Sequence, residues 1–251
     1  MKTMFALLKR EILEHPSIWK VPAIMLLVSG LVKLSFAMGN LSIDVDTPDF
    51  LNLDSTVDAT VSQVLAKSLW LVNGLISIVM VVLAAFYALS CLYVERQDES
   101  VLFWRSLPIS DSMTVASKLI IAVVVIPLLI ILSHVIVAVV FLGFSNFEYL
   151  QQSILASVVL TIKMVAWLLL PLVAWCMFCS EISKRGPFLL AFIAPIVLMI
   201  VEVLFFDVGL GDLIINRFYP SNHDSMLLLV TGLGLTVVCI YFAIIKRSQR
   251  I

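Results

Sequence analysis

Residues 115–143 read VASKLIIAVVVIPLLIILSHVIVAVVFLG. Beyond Lys118 the run carries no Asp, Glu, Lys or Arg, and it is long enough to cross a hydrocarbon core of about 30 Å. It does not alternate apolar and polar residues, which excludes a strand of a closed barrel, the other structure able to satisfy its own backbone in lipid. The stretch is therefore expected to be a membrane-spanning helix. Five more stretches have the same character, at about 21–38, 68–93, 153–180, 187–206 and 226–246. Composition agrees. Of 251 residues, 62% are hydrophobic and 13% charged, where a soluble domain has about 45–50% and about 25%. A soluble enzyme, a disordered chain and a coiled coil are excluded. The net charge of -1 gives no basic field for nucleic acid. The expected fold is all-α, a polytopic membrane protein with six transmembrane helices in a single domain, 1–251.

An amino-terminal interfacial helix is expected over about 1–15. Met1, Met4, Phe5, Leu8 and Ile12 recur at three- and four-residue spacing and make one apolar stripe. Lys9, Arg10, Glu11 and Glu14 interrupt the run before it reaches the length of a signal-peptide core. Pro16 ends the helix or turns it into the membrane.

Lys and Arg set the orientation. With six spans both termini share a side, and that side holds Lys2, Lys9, Arg10, Lys20, Arg96, Arg105, Lys118, Lys184, Arg185, Lys246, Arg247 and Arg250, against Lys67 and Arg217 on the other. The positive-inside rule makes both termini cytoplasmic. The outer loops are about 39–67, 144–152 and 207–225. The inner loops are about 94–114 and 181–186.

The first inner loop contains ERQDESVLFWRSLPIS, residues 95–110. Glu95, Arg96, Asp98, Glu99 and Arg105 surround Phe103, Trp104 and Leu107, and Pro108 stops the preceding helix. Ser110, Asp111 or Ser112 can cap the next one. Aromatic knobs among paired charges suit docking into a groove on a cytosolic protein; an amphipathic turn resting on the inner leaflet, with Trp104 as a belt residue, is the other reading.

The pattern E-R-Q-D-x-S-x-x-F-W-x-S-L-P-x-S after a second span resembles the permease subunits of ATP-binding-cassette transporters of the type-2 exporter superfamily. The layout of the whole chain is similar too. The resemblance implies a coupling helix in the first inner loop, with Glu95 to Pro108 seated on a separate ATPase subunit and Phe103 and Trp104 as apolar knobs. It also implies a second contact at Glu181–Gly186, a second permease copy as a homodimer, and a bacterial inner membrane. No G-x-x-x-x-G-K-[ST] occurs in the chain. No cofactor is expected on it, and ATP and Mg would bind the partner ATPase.

Four ionisable groups fall inside spans: Lys33, His134, Lys163 and Glu202. A charge at the bilayer centre costs about 2.5–3.5 kcal/mol on insertion scales. Lys33 and Glu202 lie toward outer ends, and Lys163 is deeper. Pairing of Glu202 with Lys33 or Lys163 stays open. So does a polar lining for a substrate or proton path, the basis of an alternative reading as an ion-coupled secondary transporter through Lys163 and Glu202. His134, next to Ser133, suits an interhelical hydrogen bond better than a ligand or base. Cys176 and Cys179 form a C-x-x-C that lacks a second pair or a nearby His and reads as apolar packing. The aspartates of the first outer loop miss calcium-loop spacing. No nucleophile or metal set supports an intramembrane hydrolase, and no catalytic residue is assigned.

Overall fold

The computed structural model describes residues 2–38, 59–98, 110–143, 147–183, 186–205, 210–218 and 225–249. Among these there is no strand. The helices are α1 (Lys2–Glu14), α2 (Ser17–Ala37), α3 (Ala59–Gln97), α4 (Asp111–Ile120), α5 (Ile126–Leu142), α6 (Phe147–Met164), α7 (Leu170–Ile182), α8 (Pro187–Phe205), α9 (Leu210–Ile215) and α10 (Met226–Ser248).

Among the described residues, five helical stretches are long and apolar enough to cross a membrane: Ser17–Ser35, Ser68–Gln97, Asp111–Leu142, Phe147–Ile182 and Met226–Ser248. The chain is thus an all-helical protein of membrane-spanning character. The sixth expected stretch, about 187–206, forms α8, a 19-residue helix over Pro187–Phe205, about 28 Å at 1.5 Å per residue.

Two joins between helices are π turns with a common cause. Ile121–Val125 joins α4 to α5, and Val165–Leu169 joins α6 to α7. Each ends two residues before a proline, Pro127 or Pro171. Proline has no N–H for the carbonyl four residues back and its ring crowds that carbonyl. The wider turn absorbs the defect: Ile126 N–H bonds to the Ile121 carbonyl and Leu170 N–H to that of Val165, both five residues apart.

By contacts the chain divides into two compact units. Unit 1 is Met1–His15, Val82–Pro127 and Ile162–Ile251; unit 2 is Pro16–Val81 and Leu128–Thr161. In unit 1, α10 packs on α7 through a stripe of small residues, Gly232, Thr236, Cys239 and Ala243. Helices without a hydrophobic drive to associate in lipid gain packing by such close approach. Helix α7 buries Val173, Ala174, Cys176, Met177 and Ser180, and its Phe178 meets Phe242 of α10 edge-on. Cys176 and Cys179 are free and buried. In unit 2, Ile76 and Met80 of α3 are buried, as are Ile130, Val137 and Ala138 of α5.

Helix α1 forms where expected, yet its protein-facing side is not the apolar stripe. Leu7 and Glu11 are buried, while Phe5 is 75% exposed. A carboxylate occupies the buried face because cations await it there.

Candidate functional site

Four helices of unit 1 bring charged ends together. Glu11 lies near the end of α1, Glu95 near the end of α3, Asp111 begins α4, and Arg247 lies near the end of α10. At the centre is Lys118 of α4, 1% exposed. Its Nζ stands 2.6 Å from Glu11 Oε1 and 3.1 Å from Glu95 Oε1. The other Glu95 oxygen lies 3.1 Å from Arg247 Nη2, and Arg247 Nε reaches Asp111 Oδ1 at 3.2 Å. Arg10 Nη2 approaches Glu95 Oε1 at 3.3 Å, and Arg10 Nε bonds to the more exposed Glu14 at 2.6 Å. Tyr87 donates its hydroxyl to Glu11 Oε2 at 3.0 Å.

Taking ions out of water costs several kcal/mol each, so such a cluster persists only when every charge is answered at close range. The alternating signs Glu11–Lys118–Glu95–Arg247–Asp111 do this. Burial disfavours the Arg10 charge, but Glu14, Glu95 and Glu11 outweigh it and raise its pKa. His15 sits edge-on to Tyr87 with ring centroids 5.0 Å apart. Burial lowers its pKa despite Glu11 at 3.9 Å.

Beside Glu95, Arg96 faces another way. Consecutive helical residues project about 100° apart. The Arg96 guanidinium donates to the backbone carbonyls of Glu181 and Ser183, and lies over the Tyr93 ring at 5.2 Å from its centroid. These carbonyls close α7, where the helix leaves its last acceptors unsatisfied. Ser180 Oγ accepts from the Tyr93 N–H at 2.9 Å. The end of α3 is thereby fastened to the end of α7.

The expected coupling loop of about 94–114 is shorter than the sequence suggests. Glu95 and Arg96 belong to α3, which runs to Gln97; Asp98 follows in a turn and is exposed. Helix α4 already begins at Asp111, with Ser110 as its cap, accepting from Met113 N–H at 3.3 Å. Glu99, Phe103, Trp104, Arg105, Leu107 and Pro108 lie outside the described residues.

Hydrogen bonds place three of the four groups expected inside spans. Lys33 and His134 belong to unit 2, Lys163 and Glu202 to unit 1. Lys33 Nζ donates to the Val140 carbonyl. That carbonyl is in the last turn of α5, which ends at Leu142 and is followed by Gly143 with φ +66°, so Lys33 is a cation at a helix C-terminus. His134 Nε2 lies 3.2 Å from both Ser77 Oγ and the Asn73 carbonyl. Glu202 Oε2 accepts from Gly211 N–H in the first turn of α9 at 2.9 Å. Lys163 is half-buried in the last turn of α6.

Sequence reading missed Lys118, Glu11 and Arg247 as buried groups, and also Arg217. Pro171 cannot supply an N–H to the Trp167 carbonyl, and Arg217 Nη1 donates there instead at 3.0 Å. Its Nη2 donates to Thr231 Oγ1 at 2.7 Å. A Cβ at position 232 would lie 2.6 Å from Arg217 Nη1, so glycine makes the room. Trp167 Nε1 completes the group by donating to the Ser225 carbonyl at 3.0 Å. Among the described residues, no group of three or more His, Cys, Asp or Glu could hold a metal.

Comparison with protein-family models, with curated proteins and with solved structures yields no match.

Proposed function

We propose that the chain is the membrane-spanning subunit of an ATP-driven exporter. It pairs with a second copy and takes its power stroke from a separate cytosolic ATPase that presses on residues 95–108. The observation that carries the reading is the anchorage of that loop. Glu95 ties its root to α1, α4 and α10, and Arg96 ties it to the end of α7. A push on an untethered loop is dissipated by loop motion; a push on this root moves four helix ends together. The E-R-Q-D-x-S-x-x-F-W-x-S-L-P-x-S pattern and the lack of a phosphate-cradling G-x-x-x-x-G-K-[ST] point the same way.

The contacts also support six crossings. The ends of α3, α7 and α10 and the start of α4 meet within unit 1, so they share one side of the membrane. A chain that leaves that side after α7 and returns to it at the end of α10 must cross in between. Helix α8, 19 residues from Pro187 to Phe205, makes that crossing. The surplus of Lys and Arg makes the shared side cytoplasmic, with both termini inside and a bacterial inner membrane as the setting.

The test is a mild-detergent purification from the native host, with mass spectrometry and an ATPase assay. A stoichiometric soluble partner bearing a Walker sequence supports the reading. A clean preparation with no ATPase, repeated after crosslinking, overturns it.

A further inference from the structure

Helix α6 carries an open groove of about 640 Å³ along one face. Glu148, Gln151 and Gln152 line its start, and Leu155, Ala156, Val159 and Leu160 line the rest. Spacings of three and four residues keep them all on one side of the helix. All are exposed and belong to unit 2. The helix opens Phe147–Ile182, a stretch of spanning length.

The order of residues along the groove follows the layers of one bilayer leaflet. Phe147 and Tyr149, 67% and 47% exposed, stand at the start of α6, and exposed aromatic residues at a helix end mark the headgroup level. Glu148, Gln151 and Gln152 occupy the first turns there. From Gln152 to Leu160 the lining is apolar over about 12 Å at 1.5 Å per residue, which fits within half of a hydrocarbon core of about 30 Å. The volume is in the range of small-molecule pockets, about 300–1,000 Å³. Polar at the interface and apolar below it, the groove matches an amphiphile standing upright in the leaflet.

Charge chooses the amphiphile. Glu148 is the charged side chain of the described lining, and no Lys or Arg among those residues answers an anionic headgroup. A second copy docked by this face about a two-fold axis along the bilayer normal would bring two Glu148 carboxylates together. A primary ammonium donates charge-assisted hydrogen bonds to a carboxylate; a quaternary one has no N–H to donate. We propose that the groove binds a phospholipid with a primary-ammonium headgroup, phosphatidylethanolamine. Its ammonium bonds to Glu148, its phosphate accepts from the amide N–H groups of Gln151 or Gln152, and one acyl chain lies along Leu155 to Leu160. Only a crossing of the bilayer by α6 is required; the ATPase is not.

The test is native mass spectrometry of the full chain released from micelles holding equal amounts of phosphatidylethanolamine, phosphatidylcholine and phosphatidylglycerol with identical acyl chains. Wild type should retain phosphatidylethanolamine at least about tenfold over each of the others, the worth of one hydrogen bond to a charged group. Glu148→Gln, which keeps the shape, should bring it down to the level of phosphatidylcholine. Ala156→Trp, which fills the groove below the headgroup, should lower its retention by a similar factor, while Val237→Trp on the exposed side of α10 should not. Each variant is read in chains whose unfolding matches wild type, with Glu148→Ala and Leu155→Trp as second choices at the same exposed face. Retention that does not favour phosphatidylethanolamine, or a preference that survives Glu148→Gln or Ala156→Trp, overturns the site. So does loss of a dimer in Ala156→Trp with bound lipid unchanged, which would assign the face to a second copy.

Discussion

Replacing Lys118 by Met tests whether the ion cluster is as dry as its geometry requires. The change keeps a long unbranched side chain and removes the charge. Two contacts go: 2.6 Å to Glu11 and 3.1 Å to Glu95. The losses are unequal. Glu95 keeps Arg247 at 3.1 Å and Arg10 at 3.3 Å. Glu11, 2% exposed, keeps only the Tyr87 hydroxyl at 3.0 Å and His15 at 3.9 Å among its described partners. The stranded group is therefore Glu11. Removing one partner of a buried pair costs about 3–5 kcal/mol, and that is the expected loss for Lys118→Met. Glu11→Gln together with Lys118→Met removes both charges and should recover most of it, with a coupling energy of about 2–3 kcal/mol. Glu14→Gln breaks only the exposed pair with Arg10 and should cost about 0–1 kcal/mol. The assay is reversible unfolding in mixed micelles, run as a double-mutant cycle. A cost below about 1 kcal/mol for Lys118→Met, or additive single effects, would mean that water reaches the cluster and refute the reasoning.

Three further outcomes are expected. Gly232→Ala should push the Arg217 guanidinium off the Trp167 carbonyl and cost about 1.5–3 kcal/mol, while Gly234→Ala, with nothing within 4 Å of its Cβ, should gain about 0.4–1 kcal/mol; differential unfolding of the two checks both signs. Arg96→Ala should release the carbonyls of Glu181 and Ser183, and hydrogen exchange at the end of α7 should rise by about tenfold or more, with α10 unchanged. His15 titrates below its ordinary value because burial outweighs Glu11. A depressed histidine binds its proton more readily in the unfolded chain, so its stabilising share is present above the unfolded pKa of about 6.5 and is lost as pH falls from there toward the folded value. Wild type should therefore lose stability relative to His15→Gln on acidification through that window, and parallel pH profiles would count against the burial of His15.

The long apolar runs made the helical, membrane-spanning character legible, because length and lack of alternation are properties of the chain itself. Helix α1 was legible from its three- and four-residue apolar spacing, and a cap at 110–112 from its residue types, of which the structure selects Ser110. The ion cluster was not. Lys118 and Arg247 look on the page like any cytoplasmic-side charge, and Glu11 like an interruption of an apolar stripe. The ion pairs that join these helices link residues 23 to 152 apart in sequence, and no local pattern records such a meeting. Arg217 was missed similarly, although Pro171 carried a signal: a proline inside a span orphans the carbonyl four residues before it, and an arginine in a nearby loop is a natural donor. The four intramembrane groups were read as possible parts of one site. Three of them hydrogen-bond to separate partners: a helix C-terminus for Lys33, a first-turn N–H for Glu202, and a serine and a carbonyl for His134.

The central claim is that an ATPase acts on the spans through the loop rooted at Glu95 and Arg96. The most direct measurement is ATP hydrolysis by the purified permease–ATPase complex, with Phe103 and Trp104 replaced by Ala in chains whose unfolding matches wild type. Two aromatic anchors at an interface centre are worth about 2 kcal/mol or more each, so stimulation of the ATPase by the permease should fall to the level of the isolated ATPase. Undiminished stimulation in the folded variant would contradict the account.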